Sequence, residues 1–275
     1  MFKNIFLASY PKSGNTWMRS IIGNLYNFDK EFSLKTLKSI PLLSIKKNFD
    51  KFENKIYSEN NVLHFDWVSR NIIECQKILN NKSNHLNIFK THSVRHKKFT
   101  NETVNAGFIY IIRDPRDVAV SFKNFSGKSM DKIINELLFE KTNIINTNGA
   151  HELLSTWELN VLSWLNYNTV PRLIIRYEDL KLNIKEIVIK VIEFLNKTHR
   201  INLNLSDANI DQIIENTNFN NLKKIEDKYG FDESSKHSSF FRTGTSNQWE
   251  DVLSKTQRQL IENNLQTLMK NFNYI

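Results

Sequence analysis

Cysteine is almost absent from this sequence, since Cys75 is the only one in 275 residues. A single thiol excludes an internal disulfide framework and any zinc site built from cysteines. The sequence also lacks a stretch of about 18 apolar residues that could span a bilayer, and its N-terminus has only a brief apolar run, unlike a secretory signal. We therefore expect a soluble cytoplasmic protein with no integral membrane segment.

Long basic arms, low-complexity linkers and internal repeats are missing as well. With 40% hydrophobic residues the chain can bury a substantial core, and we expect one domain over residues 1–275. The net charge of +9 favours a polyanionic partner, such as a nucleic acid, an anionic surface or a highly charged cofactor. Because the lysines are scattered rather than interleaved with aromatic residues, a nucleic-acid partner is not expected.

The stretch FLASYPKSGNTW, residues 6–17, joins a short apolar run to the start of a helix. Ile5 to Ala8 predict a buried strand, which Pro11 ends because it removes a backbone donor and extends the preceding residue. Gly14 lets the backbone approach a ligand closely, and apolar residues at helical spacing follow from Thr16 onwards. A loop that enters a helix N-terminus presents free N–H groups, so this stretch predicts a phosphate or sulfate site.

The same loop supplies Lys12 as a mobile charge and the hydroxyls of Ser13 and Thr16 as further anion ligands. A tight strand-to-helix turn with an exposed lysine is the alternative interpretation of this stretch taken alone. A Walker A loop would need glycines where Phe6 and Pro11 stand. The sequence therefore argues against a P-loop phosphotransferase that uses ATP and Mg²⁺, although that alternative stays open.

Strand and helix patterns alternate along the rest of the chain. Apolar runs predict strands at 86–89, 108–112 and 172–180, the last with Tyr177, Glu178 and Asp179 at its end, and a helix is expected from about Ile184 to Leu195. Asp114 can cap the helix after the third strand, with Pro115 at its first position. This alternation predicts an α/β fold with a central parallel sheet flanked by helices.

Other segments have weaker patterns. Residues 28–60 predict short helices and loops over a binding cleft, and Val62 to Leu79 predict one helix or two. Residues 131–168 predict two helices, of which the second carries Leu153, Leu154 and Trp157 toward the core.

The loop sequence YPKSGNTW closely resembles the 5′-phosphosulfate loop of sulfotransferases that use 3′-phosphoadenosine 5′-phosphosulfate (PAPS). Further matches follow in the same order, namely KTH at 90–92, Arg113 with Ser121 eight residues later, TNF at 217–219 and RTG at 242–244. Together they cover residues 6 to about 254 and are more specific than any one alone. The sequence is therefore identified as a member of that family, whose single α/β domain is akin to P-loop nucleotide kinases.

The resemblance implies transfer of a sulfuryl group from PAPS to a hydroxyl or amine acceptor, with release of adenosine 3′,5′-bisphosphate (PAP) and no metal. His92 would be the general base, Lys12 would stabilise the developing charge, and Lys90 would assist. The implied cofactor-binding residues are Lys12, Ser13, Gly14, Asn15, Thr16, Trp17, Arg113, Ser121, Tyr177, Thr217, Phe219, Arg242, Thr243 and Gly244.

The sequence departs from the family pattern near its C-terminus. Thr243 replaces a lysine and Asn247 replaces the second glycine, so the loop is expected to hold the 3′-phosphate with less charge or a different bend. The family's dimer motif should follow Trp249 but is largely absent, which predicts a monomer or a dimer through another surface. The acceptor stays open among small alcohols, phenols, amines, lipids and glycans.

Overall fold

The structure is a computed structural model that describes residues 3–28, 32–82, 87–147, 149–199, 203–231, 233–235 and 237–275. The strands in these ranges are β1 (Asn4–Ser9), β2 (Asn87–Thr91), β3 (Asn105–Ile112), β4 (Ile144–Thr147), β5 (Ala150–Leu153) and β6 (Arg172–Arg176). The α-helices are α1 (Asn15–Leu25), α2 (Phe65–Lys82), α3 (Pro115–Ser126), α4 (Met130–Leu138), α5 (Trp157–Leu165), α6 (Tyr177–Leu182), α7 (Ile184–His199), α8 (Asp207–Asn216), α9 (Phe219–Tyr229), α10 (Trp249–Val252) and α11 (Lys255–Asn271).

The central sheet has the strand order β2-β1-β3-β6, and all three neighbouring pairs are parallel. The chain leaves β1 toward β2 on one side and later returns to β3 on the other. Loops at the carboxyl ends of β1 and β3 therefore diverge, which opens a crevice where ligands bind in open α/β sheets. The predicted α/β architecture is confirmed.

The two inner strands are buried on both faces. On β1, Phe6 and Ala8 belong to one hydrophobic cluster, whereas Ile5 and Leu7 belong to the cluster on the opposite face. Successive strand residues point to opposite faces, so a strand covered by helices on both sides needs a continuous apolar run. The apolar runs in the sequence thus reflect this double burial.

The start of α3 also agrees with its prediction. Asp114 is the N-cap, its carboxylate accepts from the N–H of Arg116 at 2.8 Å, and Pro115 occupies the first position of the helix. Residues 32–61 contain three short 3-10 helices, Leu34–Ser39, Lys46–Phe49 and Glu59–Asn61. In the second predicted strand, Leu86 lies outside the described residues, and β2 continues to Thr91.

The prediction of two helices over 131–168 is wrong in its middle part. Helices α4 and α5 are present, but β4 and β5 form an antiparallel hairpin between them, and Leu153 lies on β5. The turn is stabilised by Asn146, whose side-chain oxygen accepts from the N–H of Gly149, and Gly149 has a φ of 88°. An Asn and a Gly between apolar runs are a hairpin signal, which outweighs helical spacing here.

The strand predicted over 172–180 is also too long. It ends at Arg176, and Tyr177 begins the short helix α6. None of the helices in the described ranges combines the length and the apolar character that a membrane crossing requires. The cytoplasmic location stays a prediction.

Candidate active site

A loop over residues 10–14 connects β1 to α1. Gly14 is the N-cap of α1, with φ 98°, a left-handed conformation that favours glycine. The first turn of α1 carries no acidic residue, and the first N–H groups of a helix have no partner within it. The positive end of the helix dipole and these N–H groups together suit an anion.

Asn15 fixes the start of α1 against the end of β1. Its side-chain nitrogen donates to the carbonyl of Leu7 at 3.1 Å and to the hydroxyl of Ser9 at 3.2 Å. Asn15 is almost fully buried, so these hydrogen bonds are shielded from water and hold the loop at a fixed place on the sheet.

A cavity of about 590 Å³ lies at the carboxyl ends of β1, β2 and β3. All of the predicted site residues line it except Ser13 and Thr217. The predicted residues on its wall are Lys12, Gly14, Asn15, Thr16, Trp17, Lys90, His92, Arg113, Ser121, Tyr177, Phe219, Arg242, Thr243 and Gly244. Side chains that are up to about 230 positions apart in the sequence therefore share one cavity (Lys12 to Gly244).

The two exceptions lie directly behind the cavity wall. The Thr217 hydroxyl donates to the carbonyl of Ile213 at 2.7 Å, and the Thr217 carbonyl accepts from the indole N–H of Trp17 at 2.8 Å. Thr217 therefore orients Trp17 in this structure, and a direct hydroxyl contact with a nucleotide stays a prediction. Ser13 is fully buried, and its hydroxyl has no hydrogen-bond partner among the described residues.

The Lys12 ammonium lies between two aromatic rings. Its Nζ atom is 4.1 Å from the ring centre of Phe125 and 4.4 Å from that of Phe240. Burial, followed by the charges of Lys90 and Arg113, lowers the pKa of Lys12 to about 7. The two aromatic faces oppose this shift because they attract the charged form. An anion in the cavity would favour the charged form further.

The ring of His92 is oriented by the end of β1. Its Nδ1 atom is 2.8 Å from the carbonyl oxygen of Ser9. Because a carbonyl can only accept, Nδ1 carries the proton, and Nε2 is the nitrogen that keeps an accepting lone pair. Burial, and then the positive charge of Lys90, lowers the pKa of His92 to about 3, whereas the Glu233 carboxylate acts in the opposite direction. The ring is therefore neutral at pH 7 and able to accept a proton.

Lys90 lies on the same wall, paired with an acidic residue that the sequence patterns did not reveal. Its Nζ atom is 2.7 Å from one carboxylate oxygen of Glu233, and the other oxygen is 2.5 Å from the Arg19 guanidinium. The side chains of Lys90, Arg19 and Glu233 are 8%, 3% and 14% exposed. Burial is the largest single effect on the pKa of Glu233 and raises it, but the charges and hydrogen bonds of Lys90 and Arg19 together outweigh burial and lower the pKa to about 2.

Arg113 connects three segments of the site. Its guanidinium donates to the carbonyls of Lys12 and Thr245 at 3.0 Å each and lies 3.5 Å from the Asp117 carboxylate. It also stacks over the Tyr177 ring at 4.2 Å. Arg113 therefore fixes three segments relative to one another. They are the loop before α1, the start of α3 and the loop of residues 242–248 before α10, called the C-terminal loop below.

The family model of the sulfotransferase domain matches residues 2–273. The chain belongs to the sulfotransferase family. The predicted family and the predicted enzyme class, a transferase of sulfuryl groups, are thereby confirmed, and the phosphotransferase alternative is not favoured.

Two relatives illustrate the distance within this family. Rabbit (Oryctolagus cuniculus) amine sulfotransferase is 23% identical, over 98% of this chain and 81% of its own length. Human sulfotransferase 1E1 is 26% identical, over 97% of this chain and 84% of its own length.

Solved structures confirm the fold. A mouse sulfotransferase in complex with PAP matches with a TM-score of 0.62 and 19% identity, over 98% of this chain and 85% of that one. A retinol dehydratase in complex with androsterone and the inactive cofactor PAP matches with a TM-score of 0.65 and 18% identity, over 97% and 80%.

The C-terminal loop, in which this sulfotransferase sequence departs from the family pattern, is attached to α3 by Asp117. The Asp117 carboxylate accepts from the backbone N–H groups of Asn247 at 2.9 Å and Trp249 at 3.3 Å. Asn247 has a φ of 62°, in the left-handed region that asparagine tolerates better than most residues. A glycine-like bend is thus kept at the position where the family pattern has glycine.

Two aromatic rings pack against glycines, one in the loop before α1 and one in the loop before α10. A Cβ atom on Gly14 would lie 2.6 Å from the Tyr177 ring, and a Cβ atom on Gly244 would lie 2.7 Å from the Cε2 atom of Phe219. Both glycines have positive φ angles, 98° and 60°. The rings can therefore approach the backbone only because these positions lack a side chain.

We predict that Gly14→Ala lowers nucleotide affinity because the new methyl group displaces the Tyr177 ring, which lines the cavity. The left-handed backbone adds a stability loss of about 1–2 kcal/mol. Gly230→Ala is the matched control, since Gly230 has φ 71° but no described atom lies within 4 Å of its added Cβ. Both variants should unfold more easily, whereas calorimetry should find weaker PAP binding only in Gly14→Ala; equal affinities in the two would contradict the prediction.

Sequence reasoning missed Glu233 and the anchoring role of Asp117. Glu233 lies in a segment without a periodic pattern, so no local signal in the sequence distinguishes it from a surface carboxylate. Asp117 has a local signal, because it follows the N-cap of α3 by three residues, but that signal indicates only helix capping. Its hydrogen bonds to Asn247 and Trp249 span 130 residues or more.

Proposed function

We propose that this chain transfers a sulfuryl group from PAPS to a hydroxyl or amine of an acceptor and releases PAP. The observation that carries the proposal is that an anion-binding helix N-terminus and a histidine with a free accepting nitrogen line one cavity. Family membership supports the reaction class. Further support comes from the mouse sulfotransferase and the retinol dehydratase, which were both solved with PAP.

The residues of the cavity fit such a cofactor. The Nε atom of Arg113, a residue of the cavity wall, is buried, yet it has no hydrogen-bond partner among the residues that the structure describes. The same holds for the hydroxyl of Ser13, which lies between the wall residues Lys12 and Gly14. Buried polar groups are nearly always paired, so these donors suit the oxygens of a phosphate-bearing ligand. PAPS supplies, when bound, a sulfuryl group on an activated phosphosulfate bond.

We assign the binding roles as follows. Lys12, with the hydroxyls and the first N–H groups of α1, holds the 5′ side of the cofactor. Arg113, Ser121 and Arg242 hold the 3′-phosphate, because guanidinium groups match phosphate oxygens bidentately. The aromatic side chains of the wall, together with Thr243 and Gly244, enclose the nucleoside; these aromatic residues are Trp17, Tyr177 and Phe219.

His92 is the proposed general base. Its Nε2 atom accepts the proton of the acceptor hydroxyl, while the Nδ1–H bond to Ser9 keeps the ring in the correct tautomer. Lys12 and Lys90 provide positive charge beside the reacting groups. Positioning and electrostatics supply most of the catalysis in this scheme.

The acceptor side of the cavity is largely apolar and aromatic. It is formed by the segment that pairs with β2 at Lys90, by α3, by the hairpin that follows α4 and by the segment between α9 and α10. Its apolar lining residues are Leu42, Phe122, Phe125, Ile144, Ile145 and Phe240. We therefore propose an acceptor with an apolar body and a single reacting hydroxyl or amine, rather than a polar glycan.

A screen of acceptors with PAPS, read by mass spectrometry, tests this function. Products heavier by one sulfuryl group are expected from phenols and apolar alcohols, and glycans should give none. A chain that transfers a phosphoryl group from ATP with Mg²⁺ but no sulfuryl group from PAPS would contradict the proposal.

We also predict that PAP stabilises the protein far more than adenosine 5′-monophosphate does. A ligand that binds only the folded state at about 100 times its dissociation constant adds roughly 2.7 kcal/mol to the free energy of unfolding. Adenosine 5′-monophosphate lacks the 3′-phosphate that Arg113 and Arg242 are proposed to bind. Thermal unfolding with each nucleotide measures the difference, and equal shifts in melting temperature would exclude the assigned 3′-phosphate site.

A further inference from the structure

Glu233 is a carboxylate in a cavity that is otherwise suited to anions. Its side chain lines the same wall as Lys90 and His92 and is only 14% exposed. Burying a carboxylate costs free energy unless cations and hydrogen bonds compensate it. Glu233 has two such partners, Lys90 at 2.7 Å and Arg19 at 2.5 Å.

Each guanidinium nitrogen of Arg19 has a partner in this arrangement. Its Nε and Nη2 atoms donate to the carbonyls of Ile40 and Leu37 at 3.1 and 3.2 Å, and its Nη1 atom contacts Glu233. Arg19 is 2% exposed and is therefore a fixed anchor within the fold. Glu233 is held between this anchor and Lys90, so its carboxylate is the counter-ion of a lysine on the cavity wall.

A second lysine on the acceptor side is paired in the same way. The Lys128 ammonium lies 2.7 and 2.8 Å from the two carboxylate oxygens of Glu136, whose side chain is 7% exposed. Lys128 lies between α3 and α4 and also lines the cavity. Both lysines that face the acceptor side thus have a buried carboxylate partner, and His92 is neutral.

We propose that Glu233 is a specificity-determining residue that disfavours acceptors with a carboxylate or another anion near the reacting group. This inference rests on the proposed function, because it concerns the acceptor of that reaction. An acceptor anion beside Lys90 would either be repelled by Glu233 or displace it and leave a buried carboxylate without its partner. An uncharged acceptor meets neither cost.

Glu233→Gln tests this inference because glutamine keeps the shape of the side chain and removes its charge. The probes are para-hydroxyphenylpropionate and its amide, which share one reacting phenol and differ in charge. In the parent, kcat/KM should favour the amide by about tenfold or more, and in Glu233→Gln the relative use of the acid should rise by about tenfold. Glu233→Asp should keep the parental ratio, since it keeps the carboxylate.

Asp227→Asn is the matched control. Asp227 pairs with Lys223 at 3.6 Å on α9, and its side chain is 57% exposed, so this variant removes one paired carboxylate away from the cavity. It should leave the acid-to-amide ratio unchanged. If the acid-to-amide ratio rose in both Glu233→Gln and Asp227→Asn, the inference would be overturned, because the effect would then reflect net charge alone.

Two further results would also overturn it. One is a parent enzyme that uses acid and amide equally well, a measurement that needs no variant to fold. The other is a Glu233→Gln variant whose affinity for PAP rises while its acid-to-amide ratio stays parental, because the freed Lys90 would then bind the cofactor.

Direct binding separates this inference from the proposed function. Phenylpropionate and phenylpropionamide, which have no hydroxyl to react, can be titrated into the PAP-bound protein and followed by calorimetry. The acid should bind about tenfold more tightly to Glu233→Gln than to the parent, even if no acceptor is ever turned over. Unchanged binding of the acid would overturn the inference, whereas absent turnover with altered binding would contradict only the proposed reaction.

Discussion

His92→Ala is expected to lower turnover by about 10²- to 10⁴-fold, the usual contribution of a positioned general base, with PAP affinity within a few-fold of the parental value. His92 lines the cavity, and the hydrogen bonds that the structure records for its ring are all to Ser9. Loss of the ring should therefore remove proton acceptance and leave the phosphate-binding groups in place. Single-turnover kinetics with PAPS and calorimetry with PAP measure the two quantities separately.

A second substitution separates proton acceptance from orientation. In His92→Asn, the amide nitrogen can still donate to the Ser9 carbonyl, as Nδ1 does in the parent, but the side chain has no basic nitrogen. This variant should be as slow as His92→Ala. His96→Ala is the control, because His96 lies on the same segment, is exposed and is not part of the cavity wall. Near-parental turnover in His92→Ala would show that another group is the base.

Arg113→Ala should weaken PAP binding by roughly 1.5–3 kcal/mol, the range for hydrogen bonds to a charged group. Arg113 is 5% exposed, and its Nε atom has no hydrogen-bond partner among the described residues, so the guanidinium can bind a phosphate. Its donations to Lys12 and Thr245 also fix two loops. Their loss should lower the free energy of unfolding in addition to nucleotide affinity.

Calorimetry and denaturant unfolding of Arg113→Ala measure these two effects. Arg258→Ala is a matched control, because Arg258 also lies over an aromatic ring, that of Trp249 at 4.5 Å, and pairs with a carboxylate, that of Glu262 at 2.9 Å. It lies on α11, away from the cavity, so PAP affinity should be unchanged. If Arg113→Ala bound PAP as tightly as Arg258→Ala does, the assignment of Arg113 to the 3′-phosphate would be wrong.

Arg113→Lys should not restore PAP affinity, since a lysine lacks the forked guanidinium that contacts several phosphate oxygens at once.

Most of the fold could be predicted because its signals are local. The strand before Pro11, the cap at Asp114 and the apolar run of β3 each follow from neighbouring residues. The hairpin between α4 and α5 was missed because Ile144, Ile145 and the leucines after Gly149 also fit a helical spacing. Strand pairing, rather than spacing, decides between the two.

The same difference between local signals and long-range contacts applies to the site. An anion site in the loop before α1 can be predicted from YPKSGNTW alone, because proline, glycine and a helix start act over a few residues. The tautomer of His92 could not be predicted, since it depends on the Ser9 carbonyl, 83 positions away. The altered C-terminal loop could not be assessed either, because its bend at Asn247 is stabilised by Asp117 from another helix.

The sequence by itself determined the α/β class and the family, and it predicted which loops bind phosphate, because each of these rests on short-range patterns of residue type. Only the tertiary structure decided which charges in the cavity are already paired. Lys90 and Glu233 are 143 positions apart and Arg19 and Glu233 are 214 apart, and no periodicity relates positions so distant. Their contact depends on the parallel sheet, which brings Lys90 at the carboxyl end of β2 close to Arg19 on α1. The segment after α9 then places Glu233 against both cations.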